Sequence, residues 1–127
     1  MPAPDREPGP QGGELNAAIS DAVVTLLSEY TGRGPTKAHT SIRKDIVVVL
    51  LHDTLTKGER ALVDRGRAEK VLDLREEYQA AIRDDAIAAV TRLTGRSVKA
   101  FMSTNHIDPD LAAEMFVLDG RVKDAAP

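Results

Sequence analysis

Apolar residues recur along the chain with two different periods. From Glu14 to Thr31 they follow three- and four-residue steps, which predicts one amphipathic helix. That helix should end at Gly32, because glycine suits the left-handed position after a helix and the following Gly34-Pro35 prevents continuation. From Thr36 to Asp53 the pattern changes to alternation and then to a β-branched run. This change predicts a β-hairpin that turns at Lys44-Asp45.

The second half of the chain opens with a helix start signal. Thr56-Lys57-Gly58-Glu59 fits a capping box, in which the Thr hydroxyl and the Glu carboxylate each satisfy a free backbone amide. This helix should end near Asp64 to Gly66, and a longer helix should follow and close at Gly95. The longer helix carries one apolar stripe, formed by Val71, Leu74, Tyr78, Ile82, Ala86, Val90 and Leu93.

Two strands are predicted after Gly95. The first is the alternating segment from Ser97 to Asn105, and the second runs from Met115 to Leu118. Between them, Asp108-Pro109-Asp110 predicts a short turn or a single helical turn with Asp108 as its cap. The order helix, strand, strand, helix, helix, strand, strand predicts an α+β domain in which helices cover one face of a largely antiparallel sheet.

Proline content and apolar patterning predict where the domain begins and ends. Residues 1–13 hold four of the seven prolines and no aliphatic stretch, so we expect a disordered tail. Residues 14–119 should form the single α+β domain. Residues 120–127 should form a second disordered tail, with order fading after Asp119, because Val122 is the one side chain there suited to burial.

Composition narrows the function classes. The 127 residues are 42% apolar and 29% charged and include no cysteine, which excludes a disulfide framework, thiolate catalysis and sulfur-ligated zinc. A net charge of −3 argues against nucleic-acid binding, which normally needs a basic excess. The longest apolar run, Ile46 to Leu51, is six residues, whereas a membrane helix needs about 20. We therefore expect a cytoplasmic protein that does not insert directly into a membrane.

One face of the predicted hairpin carries apolar side chains that the hairpin itself cannot cover. If Lys44-Asp45 is a two-residue turn, the second strand is apolar on both sides, which a sheet with one solvated face does not require. Either a helix or a second copy of the chain should cover the additional apolar side. A small domain with such a strand favours a homodimer.

Four basic or titratable side chains lie on that same face of the hairpin: Lys37, His39, Arg43 and His52. They are candidates for an anion-binding or partner-binding surface. The alternative is a solvated sheet edge whose charges prevent aggregation. A metal site is disfavoured, because two histidines without a carboxylate between them are a weak ligand set.

The remaining polar residues have ordinary structural interpretations beside functional ones. His106, at a strand end before a turn, is either a functional side chain or a turn-forming one. The charges of the long helix, from Arg75 to Asp85, are typical of a solvated face. The sequence has no nucleophile elbow, phosphate loop, dinucleotide fingerprint or helical pair of metal histidines. We therefore predict neither an enzyme nor a cofactor.

Several short motifs follow one another in an order that resembles a known family. They are Gly34-Pro35-Thr36-Lys37 before the Ile46 to Leu51 strand, Leu55-Thr56 with Glu59, the helix holding Val71, Leu74 and Arg75, the Leu93-Thr94-Gly95-Arg96-Ser97-Val98 junction, and Met115-Phe116-Val117-Leu118. From Glu14 to Asp119 the chain resembles the small bacterial and archaeal MpsC-like proteins. The resemblance implies a link to a sodium-translocating, membrane-potential-generating system connected with inorganic carbon uptake, whose large subunits are separate proteins. It brings no catalytic residues with it.

Two function hypotheses follow. The first is a non-enzymatic accessory or regulatory interaction protein, homodimeric, that docks on a membrane transporter subunit of a cation or bicarbonate system. The second is a homodimeric sensor of a small molecule or anion, with a pocket between the sheet and a partner subunit and with charge from Lys37, His39, Arg43 and His52.

Overall fold

The computed structural model describes residues 12–122, and their elements follow the predicted α+β order. The helices and strands are α1 (Gly12–Thr31), β1 (Lys37–Arg43), β2 (Ile46–His52), α2 (Lys57–Asp64), α3 (Ala68–Thr94), β3 (Val98–His106) and β4 (Leu111–Leu118). The predicted order of elements is therefore confirmed.

The four strands form one antiparallel sheet in the order β1-β2-β4-β3. β2 and β4 are thus the central strands, and β1 and β3 are the edges. The predicted hairpin register is confirmed, since Arg43 lies opposite Ile46 and Lys37 lies opposite His52. Lys44 in the two-residue turn has a φ of +56°, the left-handed conformation that such a tight turn requires.

Helices α1 and α3 pack against each other and against one face of the sheet. The core between these layers includes Leu15, Ile19, Val23, Val47, Val49, Leu51, Ile82, Val90 and Phe116. The predicted capping box at Thr56 is present, with the reciprocal bonds between Thr56 and Glu59. Gly32 and Gly95 end α1 and α3 in the left-handed region, with φ of +78° and +71°. Both glycine stops are therefore confirmed.

The β3–β4 connection differs from the prediction. β4 begins at Leu111 rather than Met115, because its alanine-rich first half is held between two neighbouring strands, a tertiary effect that outweighs weak β propensity. Residues 107–110 form a turn and no helix, so the alternative of a single helical turn capped by Asp108 is wrong.

The ends of the domain also differ from the predicted boundaries. α1 begins at Gly12, so Gly12 and Gly13 belong to the helix, and the rest of the predicted 1–13 tail lies outside the described residues. Val122 is only 2% exposed, and its N–H donates to the Lys44 carbonyl at 3.0 Å. The expectation that order fades after Asp119 is therefore wrong, because the chain after β4 packs beside the hairpin turn. Residues 123–127 of the predicted second tail lie outside the described residues.

Replacing Val122 with alanine should destabilise the domain. The change removes two buried methyl groups and leaves a cavity, so we expect the free energy of unfolding to fall by about 2 kcal/mol, measured by urea denaturation. Arg121→Ala is the matched control, because this neighbouring side chain is exposed and should change stability by less than about 0.5 kcal/mol. Equal stability of the two variants would contradict the burial of Val122.

Candidate functional site

Within residues 12–122, one face of the sheet is covered by no helix, and we call it the outer sheet face. Four residues on each strand point to this side. They are Lys37, His39, Ser41 and Arg43 on β1; Ile46, Val48, Leu50 and His52 on β2; Leu111, Ala113, Met115 and Val117 on β4; and Ala100, Met102, Thr104 and His106 on β3.

The middle of the outer sheet face is apolar. Here β2 contributes Ile46, Val48 and Leu50, and β4 contributes Met115 and Val117. We call these five residues, together with Ala113 opposite Leu50, the apolar centre. Ile46 remains 39% exposed, and Met102 beside the centre on β3 is 50% exposed. A contiguous exposed apolar patch of this kind marks an interaction surface more often than a solvated one.

The β1 side of the outer sheet face is basic. Lys37, His39 and Arg43 are all exposed, and we call them the basic edge. None of the outward-facing strand residues described above is acidic, so this face presents positive charge with no compensating carboxylate of its own. A surface with this charge attracts anionic groups and steers an acidic partner toward it.

The four residues predicted as an anion or partner surface share this face but do not converge on one point. Lys37 lies directly opposite His52, and His39 is diagonal to His52, so these three gather at one end of the hairpin. Arg43 lies six residues further along β1, or about 20 Å away. One small anion therefore cannot contact all four, whereas an extended partner can.

A shallow hollow of about 320 Å³ opens on the outer sheet face beside this end. Its floor is Ala113, whose small side chain lies between Leu50 on β2 and Thr104 on β3. His106 lines one side, and its Nδ1–H donates to the Pro109 carbonyl at 2.8 Å. This bond favours the turn-forming interpretation of His106, while its position leaves the ring beside the hollow.

On the helix side of the sheet, an ion pair is buried between α2 and α3. Arg75 Nε donates to Glu59 Oε2 at 2.8 Å, and Arg75 Nη2 donates to Glu59 Oε1 and to the Thr54 carbonyl. Both charged side chains are only 4% exposed. The prediction of a solvated helix face is therefore wrong for Arg75, which points at the start of α2 instead of at solvent.

Asp110 holds the loop between β2 and α2. Its carboxylate accepts hydrogen bonds from the backbone amides of Thr54 and Leu55, each at 3.0 Å, and from the Thr54 hydroxyl. Arg60 Nη2 adds an ion pair at 3.0 Å. The carboxylate is thus committed to backbone and arginine donors, which is a structural role.

Glu114 is a buried ionisable group whose carboxyl is not fully hydrogen-bonded. It lies on β4 facing the helices, is 2% exposed, and its Oε2 has no hydrogen-bond partner among residues 12–122. Burial raises the pKa of the Glu114 carboxyl from 4.5 to about 7, although Ser103 on the neighbouring strand and Arg75 act in the opposite direction. This side chain therefore changes charge near neutral pH while enclosed in the core.

Sequence reasoning missed three of these buried groups. Asp110 gave no usable signal, because its partners lie 50 or more residues earlier in the chain. Arg75 is spaced four residues from Val71 on the buried side of α3, a placement that suggests burial. Glu114 interrupts an apolar strand at a core-facing position, and this signal becomes visible only when β4 is extended back to Leu111.

Comparison with models of known protein families gives a match over most of the chain. A family model described as Na+-translocating membrane potential-generating system (MpsC) matches residues 11–120, which is most of the chain. No curated protein and no solved structure matches. Among the described residues, no helix combines the length and the apolar character needed to cross a bilayer.

Glu114→Gln should remove a pH dependence of stability. Because the folded-state pKa lies above the unfolded one, the native protein retains the proton that the unfolded chain loses, and stability falls as pH rises from 4.5 to about 7. The contribution is about 3 kcal/mol over this interval.

We therefore expect the stability of the Gln variant relative to the natural protein to rise by about that amount from pH 4.5 to 7.5, measured by urea denaturation. Other titrating groups cancel in this difference. Glu76→Gln, at an exposed position on α3, is the control and should give a flat difference. A flat difference for Glu114→Gln as well would refute the raised pKa.

Proposed function

Because the chain belongs to the MpsC family, named for a Na+-translocating membrane potential-generating system, we propose that it is a cytoplasmic accessory or regulatory protein of such a system. In this proposal it binds other protein chains through the outer sheet face and performs no catalysis of its own. The observation that carries the proposal is this uncovered face, which combines an apolar centre with a basic edge.

The two parts of the face suit two different contacts. An apolar centre gains free energy when it is removed from water, at about 25 cal/mol for each Å² buried, and we propose that the protein works as a homodimer that covers it. A basic edge gains from contact with acidic groups and sets orientation and association rate more than affinity. Lys37, His39 and Arg43 therefore suit the contact with a second, different protein.

We propose that this second protein is a membrane transporter subunit that presents an acidic surface to the basic edge. The protein would then be held at the membrane through its partner, in a system that moves cations and is connected with bicarbonate uptake. The spacing of about 20 Å between Lys37 and Arg43 suits an extended protein surface better than a small ion.

The buried ion network supports a non-catalytic role. The carboxylates of Glu59 and Asp110 accept bonds from backbone amides and arginines, which fix the loop before α2 and the helix itself. Groups bound in this way stabilise the fold and are not exposed to a substrate.

Charge reversal on the basic edge should weaken docking. We expect a tagged Lys37→Glu/Arg43→Glu variant to recover less of a large membrane subunit than the natural protein does, in a mild-detergent pull-down from native cells. Because the contact is electrostatic, recovery by the natural protein should also fall as salt is raised.

The control is Lys70→Glu/Arg83→Glu, which makes the same change in net charge at exposed positions of α3. It should recover the subunit as the natural protein does. Failure of the natural protein to enrich any membrane subunit, or equal loss with both variants, would argue against docking at the basic edge.

A second candidate function is a sensor of a small anion, and the hollow favours it. Lys37, His52 and His106 lie in one row across the sheet, and this row passes the end of the hollow. His106 lines the hollow, and Lys37 and His52 are direct neighbours further along the row, so an anion between β1 and β2 would meet two groups able to carry positive charge.

A thermal-shift series with bicarbonate, phosphate, nucleotides and small carboxylates tests the sensor. A ligand at 100 times its Kd should stabilise the protein by about 2.7 kcal/mol, and Lys37→Ala/His52→Ala should abolish that effect. Arg43→Ala should retain it, because Arg43 lies at the far end of β1. No stabilisation by any of these at millimolar concentration would eliminate the sensor function.

A further inference from the structure

The apolar centre carries a large side chain next to a hollow, so the surfaces of two copies can fit into each other. Ala113 on β4 forms the floor of the hollow, and Leu50, its cross-strand neighbour on β2, stands beside it. Val48 and Met115 form the next pair along the same two strands. Each level of the centre therefore offers one β2 side chain and one β4 side chain, and at the level of the hollow one is large and the other small.

Symmetry determines which side chains of two stacked copies would meet. A two-fold rotation does not change how far along its axis a residue lies; it moves the residue only to the opposite side of the axis. An axis that runs parallel to the strands, between β2 and β4, therefore places each β2 side chain over the β4 side chain at the same level in the second copy. Stacked sheets lie about 10 Å apart, so the facing side chains interdigitate. Leu50 then lies over the hollow above Ala113 of the second copy.

Charge favours this axis over a two-fold axis that runs perpendicular to the strands. An axis perpendicular to the strands would stack β1 on β1, with Lys37 of one copy over Arg43 of the other and with no acidic residue among the outward-facing positions to compensate. The parallel axis stacks β1 on β3 instead, where Arg43 and His39 face the uncharged Ala100 and Thr104. Only Lys37 then faces a titratable side chain, His106. Of these two axes, the parallel one removes the apolar centre from water without stacking one basic edge on the other.

We propose that the outer sheet face is a homodimer interface with a two-fold axis parallel to the strands, in which Leu50 of each copy fills the hollow over Ala113 of the other. This arrangement rests on the proposed function, in which the outer sheet face is the working surface. It places the basic edge at the rim of the interface, over the β3 edge of the second copy.

The mass in solution is the first test. Sedimentation equilibrium of the natural protein should give twice the 13.7 kDa of one chain. Leu50→Lys should reduce the measured mass to that of one chain, because a charge would be buried against Ala113 of the second copy. Leu72→Lys is the matched control, since Leu72 is an exposed leucine on α3, and this variant should remain dimeric.

A size exchange across the interface separates this geometry from general apolar association. Ala113→Leu fills the hollow and should weaken dimerisation, although it adds apolar surface. Leu50→Ala/Ala113→Leu exchanges the large and small side chains, and it should restore the dimer. Circular dichroism verifies that each variant is folded. A dimer that Ala113→Leu strengthens would overturn the proposed packing.

The natural absence of cysteine allows the axis to be tested by cross-linking. Ser41 and Met102 are exposed and lie at one level, on the two edge strands. With the parallel axis, Ser41 of one copy lies over Met102 of the other, while the two Ser41 positions are displaced sideways by about 14 Å, three strand spacings.

A short bis-maleimide should therefore link chains in an equimolar mixture of Ser41→Cys and Met102→Cys, and it should leave each variant alone unlinked. Linkage of Ser41→Cys to itself would overturn the axis, and a monomeric natural protein would overturn the dimer. These results are independent of docking: a dimer that recovers no membrane subunit would refute the proposed function and leave the interface standing.

Discussion

The central strands β2 and β4 carry apolar side chains on both faces, with Glu114 and His52 as the exceptions, and the helix layer covers only one face of the sheet. α1 and α3 bury Val47, Val49 and Leu51 on the inner side of β2, while Ile46, Val48 and Leu50 remain on the outer side. An antiparallel sheet with one solvated face normally alternates apolar and polar residues. The departure from alternation is thus a property of the sequence itself, and it leaves apolar side chains exposed on the outer sheet face.

At one end of the helix layer, buried ion pairs and hydrogen bonds hold the elements in position, whereas apolar packing does so elsewhere. Asp110 fixes the loop before α2, and the Glu59–Arg75 pair fixes α2 against α3. Breaking one partner of such a pair leaves an unpaired buried charge, so each holds its element in one position. Glu114 differs because it lacks such a donor, and it lies on β4 between Ala113 and Met115 of the outer sheet face. The strand that carries the apolar centre therefore also carries the least satisfied carboxyl of the core.

Local signals predicted the local structure well. The capping box at Thr56, the glycine stops and the Lys44-Asp45 register depend on residues a few positions apart, so the sequence displays them directly. The errors arise where distant segments meet. Nothing near Asp110 reveals that it caps a loop more than 50 residues earlier, and nothing near Val122 reveals that the hairpin turn shelters it. The candidate site shows the same division between local and distant information. Local alternation correctly placed four residues on one face: Lys37, His39, Arg43 and His52. It did not show that the length of β1 separates Arg43 from the other three.

The two proposed contacts use different parts of the outer sheet face and meet at its β1 edge. A two-fold axis parallel to the strands stacks each β1 over β3 of the second copy, so each basic edge lies at the rim of the interface, with His106 as the one titratable side chain among the β3 positions that face it. Salt screens an exposed electrostatic contact but has much less effect on buried apolar surface. The contact between copies and the contact with an acidic partner therefore respond to different physical variables. A dimer built in this way stays assembled while ionic conditions alter how strongly its basic edges hold a partner.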